Sequence, residues 1–100
     1  MDMTKKTEGN TLDVTMSGQF TFHDNNSIRG LVNDLEQNSY NELVIHFDHV
    51  EFIDSTALGM LLLLKDVTDR KGMKCVLSGA QGQVEKMFNL SKFSALFTLR

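Results

Sequence analysis

Asp54, Ser55 and Thr56 stand in a row between two oily segments, "VEFI" before them and "ALGMLLLL" after. A carboxylate followed by two hydroxyls supports two kinds of chemistry. As an N-cap, Asp54 accepts amide hydrogen bonds from the first turn of a helix that begins with Ser55 and Thr56. Capping alone accounts for Asp54, and hydroxyl residues are favoured near helix starts for the same reason. The other chemistry is modification. A phosphate on Ser55 would meet free backbone amides and the positive end of the helix dipole, so the fold would tolerate it with little rearrangement.

The remaining chemistry-bearing residues make weaker cases. His46 and His49 bracket Asp48 in "HFDH", yet residues three apart on an extended strand point to opposite faces, so no metal site is expected. His23 sits at the start of the first helix with no visible cysteine or carboxylate relay, which argues against a catalytic use. "SGAQGQ" has glycines but no Gly-Lys-Ser/Thr ending, so it reads as a loop into a helix rather than a phosphate cradle. Cys75 alternates with Val76 on an apolar segment and is expected to be a small core residue rather than a reactive thiol. No set of residues supplies a nucleophile with a base and an orienting acid. The expectation is therefore no enzyme, no metal and no cofactor.

The elements that must hold Asp54 to Thr56 are legible from periodicity. "TLDVTMSGQF" alternates Leu12, Val14 and Met16 against Asp13, Thr15 and Ser17, the pattern of a strand with one buried face. Gly9-Asn10 ahead of it is a turn signal, which makes residues 2–8 a hairpin partner. From Asp24 to Gln37, Ile28, Leu31, Val32 and Leu35 recur at helical spacing, with Asp24 or Asn25 available as N-cap. "ELVIHFDHV" places Leu43, Ile45 and Phe47 on one side and Val44 on the other, as in a strand buried mid-sheet. A second helix runs from Ser55 to about Arg70 and stops at Lys71-Gly72. "MKCVLSG" is a further strand, "GQVEKMFNL" a helix with Val84, Met87 and Phe88 in register, and "ALFTL" a last strand. Phe88, Phe93 and Phe97, with Met87 and Leu90, are expected to cover the core there. Two opening strands followed by alternating helices and strands give an α/β fold: a mixed β-sheet of about four to five strands with helices packed on it.

Within the second helix, Ala57, Met60, Leu61, Leu64 and Val67 form one arc and supply its core stripe. The opposite arc mixes Lys65, Asp66 and Asp69 with Leu58 and Leu62, beside the bare backbone of Gly59. Either neighbouring elements cover these leucines, or they form a small apolar docking patch rimmed by charge. In the second case, about −2 of added charge on Ser55, beside Asp54, would have to be desolvated at the edge of the contact. Modification would then release a bound partner.

Composition bounds the rest. One hundred residues suit one domain, expected to span 1–100; 41% apolar and 23% charged residues suit a globular chain. The net charge of −3, with acidic and basic side chains dispersed, offers no footprint for a nucleic acid. A single cysteine fits a reducing compartment. The opening "MDMTKKTEGN" lacks the apolar stretch of a secretory signal, and no apolar run approaches the roughly 20 residues that cross a bilayer. The expectation is a cytoplasmic protein without a membrane partner.

"VEFIDSTALGMLLLL" followed by "KGMKCVLSGAQGQVEKMFNLSKFSALF" resembles the STAS domain, the fold of bacterial anti-sigma factor antagonists, over roughly residues 10 to 99. The most specific part is Asp54-Ser55-Thr56-Ala57-Leu58-Gly59, similar to the family's Asp-Ser-Ser/Thr-Gly-Leu-Gly; alanine stands at 57 where glycine is usual. The resemblance implies a phosphorylatable regulator of transcription with Ser55 as phosphoacceptor, Thr56 as second choice and Asp54 as helix cap. It implies a partner-binding surface of Ser55, Thr56, Ala57, Leu58, Gly59 and Leu62. The implied partners are an anti-sigma factor with serine kinase activity and a histidine-kinase-like ATPase fold, bound by the unphosphorylated form, and a PP2C-type phosphatase that restores that form. A second expectation is a non-switching adaptor subunit of a larger signalling or transport complex, which would use the same helix as a permanent interface.

Overall fold

Burial of Leu12, Val14 and Met16 on one face of a strand, and of Ile28, Leu31 and Leu35 on one side of a helix, organises the chain into a sheet with its helices on a single face. The computed structural model describes all of residues 1–100. Strand β1 (Asp2–Glu8) is followed by β2 (Thr11–Phe20), a 3₁₀ turn (Phe22–Asp24), α1 (Asn25–Gln37) and β3 (Glu42–Ile53). Next come α2 (Ser55–Arg70), β4 (Lys74–Ser78), α3 (Gly82–Leu90), a second 3₁₀ turn (Phe93–Ala95) and β5 (Thr98–Leu99). The sheet order is β1-β2-β3-β4-β5.

β1 and β2 pair antiparallel around the Gly9-Asn10 turn, closed by the Glu8↔Thr11 pair. Gly9 has φ +60°, a left-handed conformation that glycine adopts without steric cost. The other three pairings are parallel, and each needs a crossover: α1 carries the chain from β2 to β3, α2 from β3 to β4, and α3 from β4 to β5. β3 lies mid-sheet as expected and is longer than "ELVIHFDHV", running on to Ile53 alongside β2, which it follows through two bulges.

The core is one cluster of 24 buried residues drawn from β2, β3, β4 and all three helices. Val44 and Val76 are also buried but lie on the other face of the sheet, where the period of two sets them against Leu43, Ile45, Cys75 and Leu77. No helix is long and apolar enough to cross a membrane.

Three local expectations are corrected. Asp24 occupies the N-cap position of α1 but its side chain bonds no α1 amide; it accepts from the Thr21 amide at 2.9 Å, closing a capping box on the first 3₁₀ turn. "ALFTL" is a strand only at Thr98–Leu99, because Phe93–Ala95 coil into a 3₁₀ turn that tucks Phe93 and Phe97 under the helix. Those rings do join Phe88, with centroids 5.3 Å and 4.9 Å apart in sequence, and Phe88 meets Phe47 edge-on at 5.2 Å. Leu90 does not: it is 71% exposed. Two residues beyond Phe88 is about 200° around a helix, the opposite side from the core.

Candidate functional site

The handover from β3 to α2 is fixed by Asp54. Its backbone is extended (φ −105°, ψ 178°), and its Oδ1 accepts from the Ala57 amide at 2.8 Å, the N-cap bond expected from the sequence. Its Oδ2 makes a second bond that no local pattern announces, accepting from the Phe22 amide at 3.1 Å. The Asp54 amide in turn donates to the Phe20 carbonyl at 3.3 Å. One residue therefore caps α2 and ties it to the connection leaving β2. Just upstream, the Gln83 side chain bonds both backbone polar groups of Ile53 at 2.9 Å.

With Ala57 bonded to the Asp54 carboxylate and Leu58 to the Asp54 carbonyl at 3.3 Å, the amides of Ser55 and Thr56 are left as the unpaired donors of the first turn. Both residues are exposed. At about 100° per residue, Ser55 projects directly away from the buried stripe of Ala57, Met60, Leu61, Leu64, Val67 and Thr68. Gly59 and Leu62 follow on the same line, with Leu58 to one side and Leu63 to the other. Leu62 and Leu63 are 42% and 46% exposed, whereas Leu58 is half-buried against the core.

Ala57 is the one expected contact residue that the fold withdraws. Its side chain is fully buried, because its position on α2 is turned to the sheet, so it shapes the first turn and does not reach a partner. Leu63 and two aromatic rings were not anticipated. Phe22 is 59% exposed beside the start of α2, its ring tilted at 33° to that of His23 with centroids 4.0 Å apart, and Phe52 is 40% exposed two residues before the cap. Neither ring belongs to a period that announces exposure, since each sits where an element ends. Further along α2 the surface turns charged: Lys65 pairs with Asp69, and Arg70 bonds Asp66 at 3.2 Å and Glu36 at 3.5 Å.

The other chemistry-bearing side chains do not converge here. His46 Nε2 lies 2.8 Å from Asp13 Oδ1 across the β2–β3 ladder, while His49 lines a separate cleft of about 470 Å³ with Asp48, Val50, Glu51, Gln81 and Gly82. No group of three or more His, Cys, Asp or Glu side chains is arranged to hold a metal ion. Cys75 is buried, and burial pushes its thiol pKa up from 9.0 to about 11, which keeps it protonated and unreactive near neutrality.

A curated relative, a STAS-domain containing protein of Pseudomonas aeruginosa (strain UCBPP-PA14), is 27% identical over 92 residues, covering 92% of this chain and 90% of that protein. Among solved structures, the anti-sigma factor antagonist SpoIIAA in its unphosphorylated form superimposes with a TM-score of 0.87 at 15% identity, covering 99% of this chain and 88% of that one. A sulfate transporter family protein from Wolinella succinogenes superimposes with a TM-score of 0.76 at 19% identity, covering 92% and 75%. At these identities the two superpositions speak for the fold: a five-stranded mixed sheet with three helices. The profile of the STAS domain matches residues 2–100, and by that match this chain belongs to the STAS domain family.

Proposed function

We propose that this chain is an anti-sigma factor antagonist that works by partner switching. Unphosphorylated, it binds an anti-sigma factor with serine kinase activity through the exposed arc of α2 and so frees a sigma factor. Phosphorylation of Ser55 ends that binding, and a PP2C-type phosphatase restores it. The observation that carries this reading is the place of Ser55: first residue of α2, exposed, beside unpaired amides, and in line with the exposed Leu62. A phosphate there gains favourable interactions within the fold, from the helix dipole and the free amides, while a docked partner would have to bury its charge. The fold similarity to the anti-sigma factor antagonist SpoIIAA in its unphosphorylated form supports the same reading. Thr56, also exposed, is the second acceptor. The chain has no enzymatic role in this scheme, and it functions in the cytoplasm of a bacterium as a single STAS domain.

The fold similarity to a sulfate transporter family protein favours a second reading, in which the same helix is a permanent interface in a larger assembly. One experiment separates the two. Wild type, Ser55→Ala and Ser55→Asp are used to capture partners from host lysate, with mass spectrometry of what is retained. Partner switching requires wild type and Ser55→Ala to retain a protein with a histidine-kinase-like ATPase domain, and Ser55→Asp to lose it by about tenfold or more, some 1.4 kcal/mol of binding. Equal retention of one kinase-free complex by all three overturns the switch and favours the adaptor. Loss of phosphorylation in Thr56→Ala but not in Ser55→Ala moves the acceptor to Thr56.

A further inference from the structure

β3 outruns its neighbour. The last pair between β3 and β4 is His46↔Ser78, and from there to Ile53 the strand has a ladder partner only in β2. At the tip of this overhang a side chain takes the place of the missing strand. Gln83, in the first turn of α3, donates from Nε2 to the Ile53 carbonyl at 2.9 Å and accepts at Oε1 from the Ile53 amide at 2.9 Å. A carboxamide carries the same donor and acceptor as a peptide unit, so it satisfies both backbone groups of a fully buried residue at once. Gln81 makes a single bond of this kind, from Nε2 to the Asp48 carbonyl at 2.9 Å.

We infer that Gln83 is a positioning residue for Ser55. Ile53 pairs with Phe20 on its other side and immediately precedes Asp54, whose amide also bonds the Phe20 carbonyl. With Gln83 in place the chain is gripped from both flanks at the residue before the cap. That grip fixes the direction in which Asp54 enters α2, and therefore the side of the helix on which Ser55 emerges. Both halves of the carboxamide are needed: an ionised glutamate has no donor for the Ile53 carbonyl, and a methionine of similar length has neither group. The consequence for partner binding rests on the proposed switch at Ser55; the geometric role does not.

Residue-resolved hydrogen exchange on Gln83→Met, Gln83→Glu and Gln81→Ala tests it. The reporters are the Ala57 and Phe22 amides, the two that bond the Asp54 carboxylate. Both Gln83 variants are expected to exchange about tenfold faster at these two amides while the β1–β2 ladder keeps its wild-type rates, and Gln81→Ala is expected to leave them unchanged. Unchanged rates at Ala57 and Phe22 overturn the positioning role. So does an equal acceleration at every amide, which would make Gln83 a general stabiliser. In parallel, Gln83→Met is expected to retain less of the partner captured by wild type, with Gln81→Ala unaffected. If wild type captures no kinase while the local exchange effect holds, the switch reading fails and the positioning role stands.

Discussion

At the scale of single residues, Asp54 holds more of the site together than its capping role requires. Its two carboxylate oxygens serve amides from different elements, Ala57 of α2 and Phe22 of the first 3₁₀ turn. Asp54→Ala removes both acceptors and is expected to lower stability by about 1–2 kcal/mol, measured by urea unfolding, with Asp54→Asn losing less. Cys75 gives a second test through its thiol. The unfolded chain releases the proton near 9.0 and the folded chain only near about 11, so the thiol's contribution is complete below pH 9 and disappears as pH rises towards 11. Wild type should lose stability across that window more steeply than Cys75→Ala, and native Cys75 should resist alkylation at pH 8. The cap and the buried thiol were both legible in the sequence, because an acidic residue before a helix and an alternating strand are local patterns. The second bond of Asp54 was not, since Phe22 lies 32 residues away along the chain.

At the scale of elements, periodicity and turn signals located the long strands and the helices and failed where the chain leaves a regular element. The hairpin, α1, β3, α2 and α3 follow from periods of two and 3.6. The 3₁₀ turns, the short β5 and the exposure of Phe22, Phe52 and Leu90 carry no period, being decided by where neighbouring elements stop. The stop of α2 is an instance: Lys71 reaches back with Nζ to the Leu35, Glu36 and Asn38 carbonyls at 2.6, 3.3 and 3.0 Å, closing the C-terminal end of α1. A lysine before a glycine reads as an ordinary helix stop, and only the packing of α1 against α2 reveals its second task. The exposed side of α2 makes a sharper prediction. Leu62→Glu and Leu63→Glu remove no core contact, so thermal unfolding should stay within about 2–4 °C of wild type, the span of roughly 0.5 kcal/mol in a domain of this size. Partner capture by the same variants should fall; full retention by both would place the docking surface elsewhere.

For the whole molecule, every helix contributes to the same buried cluster, and so do the three central strands. Nothing divides that cluster into parts that unfold separately. Far-UV circular dichroism, reporting helices and strands, and near-UV signals from Tyr40 and the phenylalanines should therefore give coincident transitions in denaturant. Two separated transitions would contradict a single cooperative unit. The class of fold was readable at this scale because the order of strand and helix signals dictates parallel pairing through crossovers. What the order could not supply is the mismatch in strand length: β3 extends to Ile53 while β4 stops opposite His46, and the residues that compensate, Gln81 and Gln83, look like unremarkable polar positions at a helix start.

The separation of α2 into a buried stripe and an exposed arc also bears on how copies of such a chain can diverge. The groups that aim Ser55 point inwards or are locked to backbone: Ala57, Asp54 and Ile53. Those that a partner would touch, Gly59, Leu62, Leu63 and Phe22, lie outside the core cluster. After a gene duplication, two paralogues can thus exchange their outer residues at little cost to folding, while keeping Ser55 in the same pose. Under the proposed switch, several such proteins in one cell would share its chemistry and still be insulated from each other's kinases, with cross-talk governed by a handful of surface side chains.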